Sequence, residues 1–396
     1  MKKKKKKKKK ESKKITLLII LGIIIFCFLF FLVSLYVKQP AITDAGTGNA
    51  YSYDIAILGY NKAIELNPKD AEAYKNRGFA YFNKGEYALA IQDYNKAIEL
   101  KPGYAEAYCY RGVVYGNNGK YDQAIQDFSK AVELYPNYTD AYNDRGLAYN
   151  YKGDYDRAIK DFNKATQLDP RYAAAYNNRG LTYANKGEYD RAIQDFSKAV
   201  ELDSEYTMAY NNRGLTYAKK GEYDRVIQDL NKVIELSPGY ADAYYRRGAA
   251  YFNKGEYDKA IQDYDKMIYL NPMHTKAYDN LGLAYAKKGE YDRAIQNFNK
   301  SIELDPRDTV AYNNRGLAYN DKGEYDLAIR DYNKAIELSP RFAVAYNNRG
   351  IAYRNKGEYD HAIQDFNKAI ALDLKNADTY TINLKLAKEL KEKGEQ

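Results

Sequence analysis

A glycine recurs every 34 residues along most of this chain, at Gly78, Gly112, Gly146, Gly180, Gly214, Gly248, Gly282, Gly316 and Gly350. A second glycine follows each of them by seven residues, from Gly85 to Gly357. Pro68, Pro102, Pro136, Pro170, Pro238, Pro272, Pro306 and Pro340 keep the same step, with Ser204 and Leu374 standing in for proline. A fixed period of this length argues against a single globular core and for a stack in which each copy buries its apolar face against the next.

Around Gly316, helical periodicity covers residues 309–322, Gly323 provides the left-handed position that ends that helix, and a second helix covers 325–338 before Pro340. Each copy is therefore a helical hairpin. Tyr312, Gly316, Tyr319, Ala328, Tyr332, Ala335 and Pro340 stand at spacings that resemble the tetratricopeptide repeat (TPR), with small residues where the helices cross. The resemblance implies an all-α fold, a right-handed α-solenoid of helical hairpins (the TPR superhelix), with nine complete units over residues 71–376. Residues 51–70 match only the second helix of a unit. Residues 377–396 begin like a tenth unit, carry Leu384 where glycine recurs and then become charged, which predicts a capping helix that closes the stack.

The start of the chain is of another kind. Residues 15–37 contain no charge over 23 positions, enough for one transmembrane helix ahead of the solenoid. The apolar run is longer than a cleaved leader needs, which favours an uncleaved signal anchor. Lys2 to Lys10, Lys13 and Lys14 precede it and only Lys38 follows closely, so residues 1–14 are expected in the cytoplasm and the repeats on the outer side, periplasmic or extracellular. The tail Lys2 to Lys14 either holds anionic lipid or only sets the topology. Residues 38–50, with Pro40, Gly46 and Gly48, read as a flexible linker.

Net charge is +9 for the whole chain, yet residues 1–38 hold twelve lysines against Glu11. The remaining 50 basic and 52 acidic residues leave −2, so the repeats give no reason to expect nucleic acid as a partner. The two cysteines, Cys27 in the apolar run and Cys109 in a repeat, make neither a disulfide framework nor a metal site. His274 and His361 have no nucleophile or ligand pattern beside them and read as surface residues. Nine similar units supply no unique polar constellation, so the chain is not expected to be an enzyme, and no cofactor or metal is expected. The Asn137 and Asn299 matches to an N-glycosylation pattern carry little weight.

An arginine falls on the buried stripe of nearly every first helix: Arg77, Arg111, Arg145, Arg179, Arg213, Arg247, Arg315 and Arg349. The family more often has an apolar residue there. Sixteen residues on, each second helix carries an acid: Asp93, Asp127, Asp161, Asp195, Asp229, Asp263, Asp331 and Asp365. One unit breaks both rules together, with Leu281 for arginine and Asn297 for aspartate. Pairing within a unit leaves no orphan charge, whereas pairing with the next unit would leave two. The sequence thus predicts a partly buried ion pair joining the two helices of each hairpin, structural in role.

Opposite that stripe runs a second row, Phe79, Val113, Leu147, Leu181, Leu215, Ala249, Leu283, Leu317 and Ile351. Two ladders of amides flank it, one at Asn76, Asn178, Asn212, Asn280, Asn314 and Asn348, the other at Asn143, Asn177, Asn211, Asn313 and Asn347. The family resemblance places this face on the concave side, where an apolar strip edged by donor–acceptor side chains suits an extended peptide or partner protein. The arrangement is similar to the asparagine ladder of O-linked N-acetylglucosamine transferases, without a catalytic domain. Lys75 is followed four residues later by Phe79 rather than by asparagine, which departs from the carboxylate-clamp pattern. Two other readings remain open: the leucine row packs between neighbouring first helices, or the strip is filled by another copy in a self-associating envelope protein. A non-catalytic adaptor of an envelope complex is a further form of the scaffold reading.

Overall fold

The computed structural model describes residues 50–394. Among these are twenty α-helices, one 3-10 turn and no strand. The expected membrane segment at 15–37, with its lysine tail and Cys27, lies outside the described residues; within them no helix is long and apolar enough to cross a membrane.

The chain divides into two compact units, one ending at Pro170 and one beginning at Arg171. The first contains α1 (Ala50–Leu66), α2 (Ala71–Asn83), α3 (Tyr87–Leu100), α4 (Ala105–Asn117), α5 (Tyr121–Leu134), α6 (Thr139–Tyr151) and α7 (Tyr155–Leu168). The second contains the hairpins α8–α9 (Ala173–Asn185, Tyr189–Leu202), α10–α11 (Thr207–Lys220, Tyr223–Leu236), α12–α13 (Ala241–Asn253, Tyr257–Leu270), α14–α15 (Thr275–Lys287, Tyr291–Leu304), α16–α17 (Thr309–Asp321, Tyr325–Leu338) and α18–α19 (Ala343–Asn355, Tyr359–Leu372), then α20 (Ala377–Gly394).

The local sequence sets these boundaries. At the end of α16, Gly323 has φ +83°, and the N–H groups of Gly323 and Glu324 donate to the carbonyls of Asn320 and Tyr319, both at 2.9 Å. This left-handed cap turns the chain back on itself. On α17, Ala328, Tyr332 and Ala335 recur at helical spacing and are buried. Tyr332 meets α16 at the buried Gly316, while Ala318 of α16 is buried against Ala294 and Phe298 of the preceding copy. Each fully buried phenyl ring such as Phe162 or Phe366 contributes roughly 1.5–3 kcal/mol of transfer free energy. At the end of the second unit Leu384 and Ala387 of α20 are buried against Ala362 and Phe366, so the last helix covers a face that another hairpin would otherwise take.

Candidate functional site

Arg315 donates from Nε to Oδ2 of Asp331 at 2.6 Å and from Nη2 to Oδ1 at 2.7 Å. The side chains are only 14% and 2% exposed. The same two-pronged contact joins Arg77 to Asp93, Arg111 to Asp127, Arg145 to Asp161, Arg179 to Asp195, Arg213 to Asp229, Arg247 to Asp263 and Arg349 to Asp365. Burial opposes the charge on Arg315, but its bonds to Asp331 prevail and the guanidinium is held above its ordinary value. Tyr312 adds a ring 5.4 Å from the guanidinium carbon. In the exceptional hairpin Leu281 is buried and Asn297 turns its amide to the carbonyl of Arg293 at 2.9 Å.

The arginines do more than the pairing logic implied. The third nitrogen, Nη1, reaches the second helix of the preceding copy: Arg77 to Asn61 at 2.7 Å, Arg145 to Ser129 at 3.2 Å, Arg213 to Ser197 at 3.0 Å, Arg315 to Asn299 at 2.6 Å. One guanidinium thus ties three helices. A signal for this was present, because Asp265 stands at this otherwise Asn or Ser position just before Leu281.

A second inter-repeat link was also missed. Lys220 reaches Asp190, Lys254 reaches Asp224, Lys288 reaches Asp258, Lys322 reaches Asp292 and Lys356 reaches Asp326, at 2.6–2.8 Å. The aspartates are largely exposed. Here too the sequence carries a double exception, since Ala88 and Asn118 replace the acid and the lysine together.

The asparagines divide by burial. Asn143, Asn177, Asn313 and Asn347 are buried, and the other ladder supplies their partners: Asn212 donates to Asn177 at 3.0 Å, Asn348 to Asn313 at 3.0 Å, and Asn383 of the cap to Asn347 at 2.9 Å. Asn280 donates to the Tyr245 hydroxyl at 3.0 Å. Asn177, Asn313 and Asn347 of this inner ladder therefore spend their carbonyls linking successive first helices rather than facing an open groove, whereas the side-chain carbonyl of Asn211 is buried without a partner among the described residues. Asn76, Asn178, Asn212, Asn280, Asn314 and Asn348 are half-buried, and so is Asn211.

Within each unit the apolar row stays partly open. Leu317 is 40% exposed, and Val310 and Val344 on the same first helices are 51% and 40% exposed. Phe79, Val113, Leu147, Leu181, Leu215, Ala249, Leu283 and Ile351 are half-buried. Val113, Leu283 and Ile351 pack partly against the following copy, so inter-helix packing takes a share of the row.

Two acids depart from the amide pattern. Asp144 occupies an outer-ladder position and is buried; burial, with Asp140 nearby, pushes it up to about 8, and the amide of Asn143 at 3.1 Å pulls it back only in part. Asp279 occupies an inner-ladder position, and burial raises it to about 6, with Ser301 opposing and Asp308 adding. Of the histidines, His274 caps α14 by accepting from the Ala277 N–H at 3.1 Å, a role legible from its alignment with Asp70 and Asp308. His361 is exposed, 3.1 Å from Glu358. Cys109 is buried in a cluster with Phe128, Val132 and several alanines.

Models described as TPR repeat match residues 52–85, 80–119, 146–187, 216–255, 284–323 and 316–357. Models described as Tetratricopeptide repeat match 105–138, 173–206, 241–274 and 343–376, and a further one 128–160. The chain belongs to the tetratricopeptide-repeat family. A TPR protein from Parabacteroides merdae is similar at 25% identity and a TM-score of 0.51, over 63% of this chain and 98% of that one. The C-terminal part of a TPR repeat-containing protein from Cytophaga hutchinsonii is similar at 24% identity and a TM-score of 0.51, over 60% of this chain and 98% of that one. A structure described as MamA protein is 37% identical, with a TM-score of 0.41, over 43% of this chain and 92% of that one. No curated protein matches the chain. The TPR fold is typical of protein–protein interaction and generally of non-catalytic scaffolds, and it points to protein or peptide partners.

Proposed function

We propose that this TPR protein is a membrane-anchored scaffold that holds an extended segment of a partner protein along its first helices. The observation that carries the reading is the apolar surface left open after the array has packed: Leu317 of the row, and Val310 and Val344 two turns before the row positions of their helices, keep 40–51% of their surface exposed, and the rest of the row is only half-buried. The outer asparagines flank that row, so main-chain groups of a bound segment have amide neighbours. The inner asparagines and the arginines belong to the frame.

The anchor rests on the 23 uncharged residues at 15–37 and on the lysines before them. In this reading residues 1–14 stay cytoplasmic, against anionic lipid, and the repeats lie on the outer side.

A photoreactive residue in place of Leu215, irradiated in native membranes, is expected to give a discrete crosslinked protein. Crosslinks only to a second copy of this chain would replace the scaffold reading by self-association. Protease added to intact cells is expected to digest the repeats, and a protected repeat domain would overturn the outward orientation.

A further inference from the structure

The first described helix corresponds to the second helix of a hairpin, and among the described residues no first helix precedes it. It keeps everything that side of a hairpin needs: Asn61 accepts from Arg77 at 2.7 Å, and Asp54 pairs with Lys84 at 2.7 Å. Its opposite side has been rebuilt. Gly59 stands where the other second helices carry the aspartate that receives an arginine, or Asn297 in the exceptional copy. Leu58 stands at a position that is otherwise always polar: Gln92, Gln126, Lys160, Gln194, Gln228, Gln262, Gln296, Arg330 and Gln364.

The result is an apolar stripe that nothing among the described residues covers. Ile55, Leu58 and Leu66 fall within a narrow arc at 100° per residue, together with Gly59 and Lys62. Their exposures are 55%, 68% and 77%. In the second unit the last helix, α20, turns Leu384 and Ala387 inward and leaves Ile382 and Leu386 exposed. At α1 the apolar residues turn outward. A first helix from another copy fits poorly here, since its arginine would meet Gly59 and find no carboxylate.

We infer that the stripe on α1 rests on the lipid surface into which residues 15–37 insert, as an interfacial helix that fixes the base of the array against the membrane. The inference rests on the anchor proposed above. Twelve residues separate position 37 from Ala50, a tether of at most ~40 Å when fully extended, so α1 starts within that reach of the bilayer. Held there, even a weakly amphipathic face sees lipid at high effective concentration. Lys62 on the same stripe pairs with Glu65 at 2.9 Å, both side chains largely exposed, so its stem is free to swing the ammonium to the headgroups in exchange for that surface contact.

The chain has no tryptophan, so a single introduced one reports alone. Full-length Leu58→Trp protein is reconstituted in phosphatidylcholine–phosphatidylglycerol vesicles, with Gln194→Trp as the control. The expected result is a blue-shifted emission for Leu58→Trp that loses intensity when the lipids are brominated, while Gln194→Trp is quenched by aqueous iodide and ignores the bromine. An iodide-sensitive, unshifted Leu58→Trp signal overturns the inference, leaving the anchor intact. A blue shift that bromine does not quench also overturns it, assigning the stripe to a second copy if dilution reverses the shift and to the chain itself if it does not. Protein released from the vesicles by alkaline carbonate overturns the anchor and this inference together.

Discussion

A Cβ added to Gly316 would stand 2.8 Å from Cε1 of Tyr332, closer than side-chain carbons approach. The glycine is what allows the two helices of the hairpin to cross over a buried ring. The same relation joins Gly112 to Phe128 and Gly350 to Phe366, whereas Gly214 faces Leu230 and its added Cβ would meet nothing nearer than 3.5 Å.

Alanine at these two glycines should therefore act with opposite sign. Gly316→Ala forces Tyr332 or the helix to move and is expected to destabilise by about 1–3 kcal/mol. Gly214→Ala gains helix propensity without a clash and is expected to stabilise by roughly 0.5–1 kcal/mol. Guanidinium denaturation of the two variants beside the parent checks this; equal losses would remove the close-packing explanation.

Breaking the buried ion pair from one side leaves an uncompensated charge. Asp331→Ala is expected to destabilise by about 3–5 kcal/mol, since Arg315 then keeps only Asn299. The double change Arg315→Leu with Asp331→Asn copies Leu281 and Asn297 and is expected to lose far less. Denaturation midpoints of the single and double variants decide it, and similar losses would show that the charges themselves are not what matters.

The exposed inter-repeat pair sets the opposite limit. Asp292→Ala removes the 2.8 Å contact with Lys322, but the aspartate side chain is 81% exposed. Its loss is expected to change stability by less than about 1 kcal/mol and to matter less at high salt. Thermal melts at two salt concentrations measure it.

Asp144 should make the first unit weaken as pH rises. The folded carboxyl stays protonated up to about 8, whereas an ordinary aspartate has 3.8. Between those values the unfolded chain binds fewer protons than the folded one, so stability falls with rising pH across that window. Asp144→Asn, the residue found at Asn178 and Asn212, is expected to stabilise by at least about 1 kcal/mol at pH 7, with the gain vanishing near pH 4. Asp279→Asn should behave alike over a narrower window, closing at about 6. Hydrogen exchange of the two units across pH follows each locally; a gain independent of pH would remove the carboxyl as its source.

The paired charges within a hairpin were legible in the amino-acid order because the chain carries its own control: Arg315 and Asp331 repeat together and fail together at Leu281 and Asn297. The Lys322–Asp292 contact had a control of the same kind in Ala88 and Asn118, thirty residues apart in neighbouring copies. The division between the two asparagine ladders had none. Asn313 and Asn314 are adjacent on one helix, and nothing in their order says that the first is buried and the second half-open.

Sequence alone determined the 34-residue period, the hairpin, the left-handed glycine that closes each first helix and the residues that face each other inside a copy. All of these depend on helical geometry over a short stretch of chain. Only the tertiary structure decided what lies between copies: that Arg315 also holds Asn299, that Asn348 occupies Asn313, and that no described residue covers Leu58. Those outcomes depend on the rise and turn from one hairpin to the next, which the summed packing of many small side chains sets and no single residue encodes.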